Sequence, residues 1–190
     1  MEPVAISALV VALAEIGDKT QLLAVLLATR FGKPIPIIAG ILAATVANHL
    51  LAAGAGYYVS GLLAGPWFRA LVGASFLAMA GWTLIPDKAD EETRSGDRWG
   101  AFLTTLVSFF LVEIGDKTQL ATVALAARFH SIVLVATGTT LGMLAADIPA
   151  VFLGEAATRV LPLKYMRWGA AALFALLGSW ALAEAAGWVR

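Results

Sequence analysis

The stretch EIGDKTQLLAVLLATRF at residues 15–31 returns almost unchanged as EIGDKTQLATVALAARF at residues 113–129. The two copies agree at 13 of 17 positions, and Gly40 and Gly138 each follow the first glutamate of their copy by 25 residues. Similarity of this strength at a fixed spacing indicates an internal duplication that extends beyond the motif. The chain therefore consists of two homologous halves.

The composition indicates that this chain lies in lipid. Of its 190 residues, 60% are hydrophobic and 14% are charged, whereas soluble domains carry about a quarter charged residues. A soluble helical bundle is the less favoured alternative, because it would expose large apolar patches. The 13 basic and 13 acidic residues balance, so nothing suggests nucleic acid as a partner. Since cysteine is absent, a metal site would have to use oxygen or imidazole ligands.

Six apolar stretches have the roughly 20 residues that a membrane-spanning helix needs. They are predicted at residues 4–29, 36–63, 67–86, 100–127, 132–155 and 164–187. A short, highly charged linker at 87–99 separates a first repeat, 1–86, from a second repeat, 100–190. Three spans per repeat is an odd number, so the second repeat enters the membrane upside down. The sequence predicts an all-α membrane protein of six transmembrane helices, arranged as two inverted three-helix repeats.

Lysine and arginine predict the orientation of these spans. One side of the membrane collects Arg30, Lys33, Lys88, Arg94, Arg98, Arg159, Lys164 and Arg167, and the other only Arg69, Arg128 and Arg190. By the positive-inside rule, the central linker is cytoplasmic and both termini lie outside. The N-terminus lacks the basic region of a cleavable signal peptide, so we interpret the first apolar segment as a retained span.

Each motif places ionisable side chains near the middle of a predicted span, where one charge costs roughly 2.5–3.5 kcal/mol. On a continuous helix the acids and the lysine of one motif share a face, and the glutamine extends that face with an amide oxygen. Four acids and two lysines leave a formal charge of −2, which calls for a cation. The expected metal ligands are Glu15, Asp18, Glu113 and Asp116. The expected charge-balancing residues are Lys19 and Lys117, and Gln21 and Gln119 are candidates for the metal or proton pathway.

A purely structural interpretation is that glutamate and lysine pair at i,i+4 within each motif and hold the bundle together. It leaves two acids without a counter-charge. Gly17 and Gly115 allow either close helix packing or local unwinding. Thr20 and Thr118 point elsewhere on an unbroken helix, so they are candidate ligands only if the helix breaks there.

Three further polar residues are predicted inside spans two and five. Asn48 and His49 are candidates for the metal or proton pathway, with interhelical hydrogen bonding as the equally weighted alternative. Asp147 occupies the repeat position of His49, because both lie 34 residues after the first glutamate of their motif. An intramembrane carboxylate is rarer, which favours a role for Asp147 in the pathway. Glu184 lies near a span end and is interpreted as facing water.

The doubled signature resembles that of the calcium:proton antiporter-2 family, whose pattern E-x-G-D-[KR]-[TS] matches Glu15–Thr20 and Glu113–Thr118. The resemblance covers essentially the whole chain. It implies a secondary transporter that exports Mn²⁺, and as a further candidate Ca²⁺, from the cytoplasm in exchange for protons. No nucleophile elbow, P-loop or H-E-x-x-H motif occurs, so no enzyme activity is expected, and no cofactor is expected beyond the transported ions. The compact form resembles the bacterial members, which implies the bacterial plasma membrane as the location.

The residues alone leave two other functions possible. A small-solute exporter similar to the lysine exporter superfamily also has a compact 3+3 arrangement, but it needs cationic groups for a substrate carboxylate. A passive cation channel with acidic rings fits the charges as well. The carboxylate and amide oxygens suit Mn²⁺, Ca²⁺ or Mg²⁺. The expected partners are the lipid bilayer and divalent metal ions, and the sequence leaves a homo-oligomer open.

Overall fold

Eight α-helices and no β-strand are found in the part of the chain that the computed structural model describes, residues 1–62, 65–85, 100–153 and 163–189. The helices are α1 Glu2–Glu15, α2 Lys19–Phe31, α3 Pro34–Leu62, α4 Pro66–Thr83, α5 Gly100–Glu113, α6 Lys117–Phe129, α7 Ile132–Leu153 and α8 Leu163–Ala185. The prediction of an all-α protein is confirmed for the described residues, and the six spans in an inverted repeat stay a prediction. The predicted linker 87–99 lies outside the described residues.

Three of the described helices are long and apolar enough to cross a membrane. They are Pro34–Gly61 of α3, Ile132–Leu153, which is α7, and Trp168–Ala185 of α8. Large apolar side chains also face outward, including Leu51 at 64% and Leu176 at 69% exposure. Such surfaces are unfavourable in water and favourable against lipid tails. The chain is therefore a membrane protein with at least these three candidate spans among its described helices.

The first and fourth predicted spans are each broken in the middle. The helix expected at 4–29 is α1 and α2, and the helix expected at 100–127 is α5 and α6. Gly17 and Gly115 have φ angles of 81° and 78° in the two breaks. This left-handed conformation is strained for residues with a Cβ and interrupts the helical hydrogen-bond ladder. Of the two interpretations of these glycines, local unwinding is confirmed.

The two halves interlock through the first and second predicted spans of each half. Helix α1 packs against α7, and α5 packs against α3 in the equivalent way. A Cβ on Gly40 would lie 2.7 Å from the Phe102 carbonyl oxygen, and one on Gly138 would lie 2.5 Å from that of Val4. Both contacts need glycine, because a real Cβ does not approach so closely. Gly40 and Gly138 are 98 residues apart, as are Val4 and Phe102, so the two interfaces are equivalent by the repeat.

Helices α4 and α8 form a second pair, joined by an equally close contact. A Cβ on Gly178 would lie 2.8 Å from the carbonyl oxygen of Gly73. The rings of Phe76 and Phe174 stack beside this crossing, with 6.3 Å between their centroids. The α4–α8 pair packs against α6 and α1, so it borders the broken helices.

Candidate functional site

The two helix breaks meet in the interior of the bundle. The four motif acids are almost fully buried, with exposures of 0% for Glu15, 1% for Asp18, 2% for Glu113 and 5% for Asp116. Glu15, Glu113 and Asp116 each offer one carboxylate oxygen, and these oxygens all lie within 4.8 Å of one another. Two segments that are 98 residues apart in sequence thus supply one cluster of acids.

The lysines pair with acids of the opposite motif. Lys19 Nζ lies 2.8 Å from Asp116 Oδ1, and the Lys117 ammonium group donates to Asp18 Oδ1. We expected the acids and the lysine of one motif to share a helical face, and this prediction is wrong. The alternative, that glutamate and lysine pair at i,i+4 within one motif, is wrong as well. Helical spacing does not apply, because α1 ends at Glu15 and α2 begins only at Lys19.

The two threonines join the site because the helices break. Thr20 Oγ1 donates to Glu15 Oε2, and Thr118 Oγ1 donates to Glu113 Oε1. The second oxygen of each glutamate, Oε1 of Glu15 and Oε2 of Glu113, is buried and has no hydrogen-bond partner among the described residues. Each glutamate is thus held through one carboxylate oxygen, while its other oxygen accepts no hydrogen bond from the described residues.

The motif glutamines form hydrogen bonds with the backbone of the two helix breaks. The Gln21 side-chain oxygen accepts a hydrogen bond from the Gly17 N–H at 2.8 Å, and that of Gln119 accepts one from the Gly115 N–H at 2.7 Å. Gln21 Nε2 also donates to the carbonyl of Ala146 on α7 at 3.1 Å. The amide oxygens, which we expected on the face of the acids, are therefore engaged in fixing the shape of each break.

The polar residues of α3 and α7 are buried as well. Asn48 Nδ2 donates to the Phe110 carbonyl at 3.1 Å, which is the interhelical hydrogen bond named as one alternative. His49 Nδ1 lies 3.5 Å from Thr140 Oγ1. Both carboxylate oxygens of Asp147, which is 0% exposed, lack a hydrogen-bond partner in the described part of the chain. Asp147 is thus a buried acid that no described side chain neutralises through a direct contact.

The charges of the site do not cancel within the protein. Four motif acids and two motif lysines sum to −2 when all are ionised, and Asp147 would make the sum −3. Hard oxygen ligands with net negative charge in a buried site suit a divalent cation such as Mn²⁺, Ca²⁺ or Mg²⁺. Ligand oxygens on opposite sides of such an ion are about 4–5 Å apart, since each bond is about 2.0–2.6 Å long. The 4.8 Å spread of the three acids is compatible with a single ion.

One polar contact was missed by sequence reasoning. Arg128 Nη2 lies 2.9 Å from Glu184 Oε1, and Trp180 Nε1 donates to the same oxygen at 3.0 Å. Glu184, interpreted from sequence as facing water, has a side chain that is only 17% exposed. The contact joins α6 to α8 across 56 residues, so no local pattern could have indicated it.

The chain is similar to known proteins along most of its length. The family profile described as "Divalent cation/proton antiporter GDT1" matches residues 3–91 and 101–188. A Vibrio cholerae serotype O1 protein named "Putative manganese exporter" is 50% identical over 178 residues, covering 93% of this chain and 88% of that protein. Proteins named "GDT1-like protein 4" from the indica and japonica subspecies of Oryza sativa are each 31% identical over 155 residues. These cover 67% of this chain and 54% of the rice proteins. No solved structure matches.

Proposed function

The chain belongs to the GDT1 family of divalent cation/proton antiporters, and from this premise we propose that it exports Mn²⁺ from the cytoplasm in exchange for protons. Manganese is proposed as the main substrate because a relative that is 50% identical is named as a manganese exporter. Ca²⁺ is a second candidate substrate, since it takes the same oxygen ligands with longer bonds. The proposed location is the plasma membrane of a bacterium, with the linker in the cytoplasm and both termini outside.

We propose that the ion binds between the two helix breaks. The observation that supports this most directly is the group of carboxylate oxygens from Glu15, Glu113 and Asp116 within 4.8 Å of one another. Asp18 is proposed to complete the ligand set. Because the ligands come from both halves, a relative movement of the halves would change the geometry of the site. Such a movement is how broken-helix transporters with inverted repeats expose one site to each side in turn.

The lysines are proposed to set how much charge the site can carry. Lys19 and Lys117 each compensate one aspartate, which leaves two negative charges for the transported ion. A divalent cation brings the formal charge to zero, and so do two protons. Either load can then cross the apolar interior without uncompensated charge, whereas the empty ionised site is penalised. Obligatory exchange follows from this difference between the loaded and the empty states.

Two glutamine substitutions test the proposed site. Glu15→Gln and Glu113→Gln keep the size of the side chain and remove one negative charge each. In proteoliposomes with a pH gradient, we expect wild-type protein to move Mn²⁺ and each variant to lose at least about 90% of that flux, as for loss of a charged ligand. The control is Glu91→Gln, an acid of the polar linker far in sequence from both motifs.

Binding by purified protein separates loss of the site from loss of the fold. Mn²⁺ should raise the unfolding temperature of wild type and Glu91→Gln increasingly as its concentration rises, because it binds only the folded state. Glu15→Gln and Glu113→Gln should unfold cooperatively without this increase. If both variants retained Mn²⁺-driven flux and stabilisation, the site would not lie between the breaks. Movement of Mn²⁺ that is indifferent to the pH gradient would contradict proton exchange.

A further inference from the structure

A group of charged side chains lies apart from the ion site, where α3, α4, α6 and α8 end or begin. It borders a cavity of about 150 Å³ and continues into a wider one of about 590 Å³. Both cavities are lined by Arg69, Arg128, His130 and Glu184. We refer to these four residues as the basic opening. Two arginines against one glutamate give it a net positive charge even when His130 is neutral.

The basic opening adjoins an apolar recess through a shared residue. A third cavity, of about 310 Å³, is lined by Arg128 and Glu2 and otherwise by apolar and aromatic side chains, among them Ile6, Phe76 and Leu176. Arg128 therefore borders the charged cavities on one side and the apolar recess on the other. A ligand that fits both parts must carry an anionic group and an apolar chain.

The arginines have hydrogen-bond capacity left for an anion. Arg128 forms an ion pair with Glu184 through Nη2. A guanidinium group has five N–H donors, so this contact does not use all of them. Arg69 is exposed and forms no ion pair within the described residues. Guanidinium groups bind phosphate through two parallel hydrogen bonds, which makes phosphate the best-matched anion.

His130 adds an unusual backbone conformation at the same place. Its φ is 49°, and it is the one described residue other than glycine with a positive φ. The repeat-equivalent position in the first half is Gly32, with φ 60°, 98 residues earlier. A histidine is strained where glycine is not, and its ring nitrogen Nδ1 lies 3.1 Å from Ser60 Oγ. The second half thus holds an imidazole at the opening where the first half has no side chain.

Exposed tryptophans indicate the depth of the opening in the membrane. Trp67 on α4 and Trp180 on α8 are 56% and 51% exposed, and Trp188 follows α8 with 84% exposure. Tryptophan is enriched at the level of the lipid headgroups. The basic opening lies at the same helix ends, because Arg69 is in the first turns of α4 and Glu184 is in the last turn of α8.

We propose that the basic opening binds an anionic phospholipid, with its phosphate on Arg69 and Arg128 and one acyl chain in the apolar recess. The net positive charge favours a lipid such as phosphatidylglycerol over phosphatidylcholine, whose choline carries a positive charge of its own. This site is separate from the ion site and does not depend on the proposed transport function.

The test uses purified full-length protein in a neutral detergent, with phosphatidylglycerol, phosphatidylcholine or inorganic phosphate added. Arg69→Gln is the main variant, because Arg69 has no described ion pair whose loss would disturb the fold. Arg30→Gln is the matched control, since Arg30 is the repeat equivalent of Arg128, 98 residues earlier, and lines none of the three cavities; its guanidinium lies over the Phe31 ring. Thermal unfolding and native mass spectrometry report on lipid binding.

We expect phosphatidylglycerol to raise the unfolding temperature of wild type and Arg30→Gln and to bind Arg69→Gln about tenfold more weakly, as for loss of a charged hydrogen-bond pair. Phosphatidylcholine and inorganic phosphate should have little effect. An equal effect of phosphatidylcholine would overturn the recognition of an anion. Inorganic phosphate that matched the lipid would show that no acyl chain is needed, and equal losses in Arg69→Gln and Arg30→Gln would show that the opening is not the site.

Discussion

Lys19 and Asp116 form an ion pair between the two halves of the chain, with 2.8 Å between Nζ and Oδ1. Its counterpart is the pair of Lys117 with Asp18, which runs in the opposite direction. The two pairs are not equally buried, because the Lys19 side chain is 25% exposed and that of Lys117 is 4% exposed. Because each lysine pairs with the aspartate of the opposite motif, the two ion pairs connect the two helix breaks. The difference in burial predicts that mutation of the two pairs changes stability by different amounts.

Removing one lysine should therefore destabilise the protein, and Lys117→Gln should do so more than Lys19→Gln. Breaking a buried pair leaves an uncompensated charge and costs about 3–5 kcal/mol, whereas a partly exposed pair is screened. Thermal unfolding of the purified variants measures this difference. We expect the double variant Lys117→Gln with Asp18→Asn to recover most of the lost stability, because it removes both charges of the pair.

The matched control is Lys117→Gln with Asp116→Asn, which joins the same lysine change to the aspartate of its own motif. It should not recover stability, because Asp18 stays without its partner. Equal recovery in both double variants would mean that the lysines act through total charge, and the crossed pairing would be wrong. The comparison is a double-mutant cycle on neighbouring residues, where coupling is expected.

The broken helices should be sensitive to substitution of their glycines. Gly115 has φ 78°, and a Cβ added there would have no atom within 4 Å, so alanine at this position tests the backbone alone. We expect Gly115→Ala to cost about 1–2 kcal/mol of stability, the penalty for a left-handed alanine, and to lower Mn²⁺ flux. Gly115→Asn should be milder, since asparagine tolerates this conformation better.

Gly81→Ala is the control for this prediction. Gly81 lies inside α4, also with nothing within 4 Å of an added Cβ, and its φ is not positive. Alanine is a better helix former than glycine, so stability should stay constant or rise slightly. A Gly115→Ala variant as stable and active as Gly81→Ala would mean that the break does not need its left-handed residue.

Much of the site could be predicted from the sequence because its motif occurs twice. The duplication located the acids of both motifs, and the family resemblance is confirmed by the match to residues 3–91 and 101–188. The ends of α3 were predicted to within two residues, since the charged Lys33 and the adjacent Pro34 precede the apolar run. These features are local in sequence or follow from the repeat, so pattern and spacing suffice.

The partners of the motif residues could not be predicted in the same way. Helical spacing placed Glu15, Asp18 and Lys19 on one face, but a left-handed Gly17 between them removes that geometry. The crossing of the lysines depends on how the two breaks meet in space. The ion pair of Arg128 with Glu184 depends on where α8 lies. These are tertiary contacts between residues far apart in sequence, so residue spacing in a single sequence does not predict them.

The predicted orientation can be tested with single cysteines, because the chain contains none of its own. Ser95→Cys lies in the linker, and Val189→Cys lies near the C-terminus. In intact cells, a membrane-impermeant maleimide should label Val189→Cys but reach Ser95→Cys only after the membrane is opened. Labelling of both from the same side would contradict an odd number of spans in the second half and, with it, the inverted repeat.

The coupling of Mn²⁺ to protons should follow from the charge of the site. Metal ligands must be deprotonated, so Mn²⁺ affinity should fall as the pH is lowered and protons occupy the carboxylates. If the four motif acids and two lysines alone set the charge, two protons replace one Mn²⁺ and the exchange moves no net charge. Flux in proteoliposomes should then respond to a pH gradient and be insensitive to an imposed membrane potential.

We expect the charge state of Asp147 to decide between this neutral cycle and one that moves charge. It is fully buried, both of its oxygens lack partners among the described residues, and its repeat equivalent is His49 rather than a second acid. If Asp147 is ionised and takes part, the site carries −3, and three protons can exchange for one Mn²⁺ with movement of one charge. The wild-type flux would then depend on potential, by about 2.3 kcal/mol per charge for each 100 mV. Asp147→Asn should in that case abolish the voltage dependence while retaining exchange driven by the pH gradient. An Asp147→Asn variant with the voltage response of wild type would exclude Asp147 from the coupling, whichever response the wild type has.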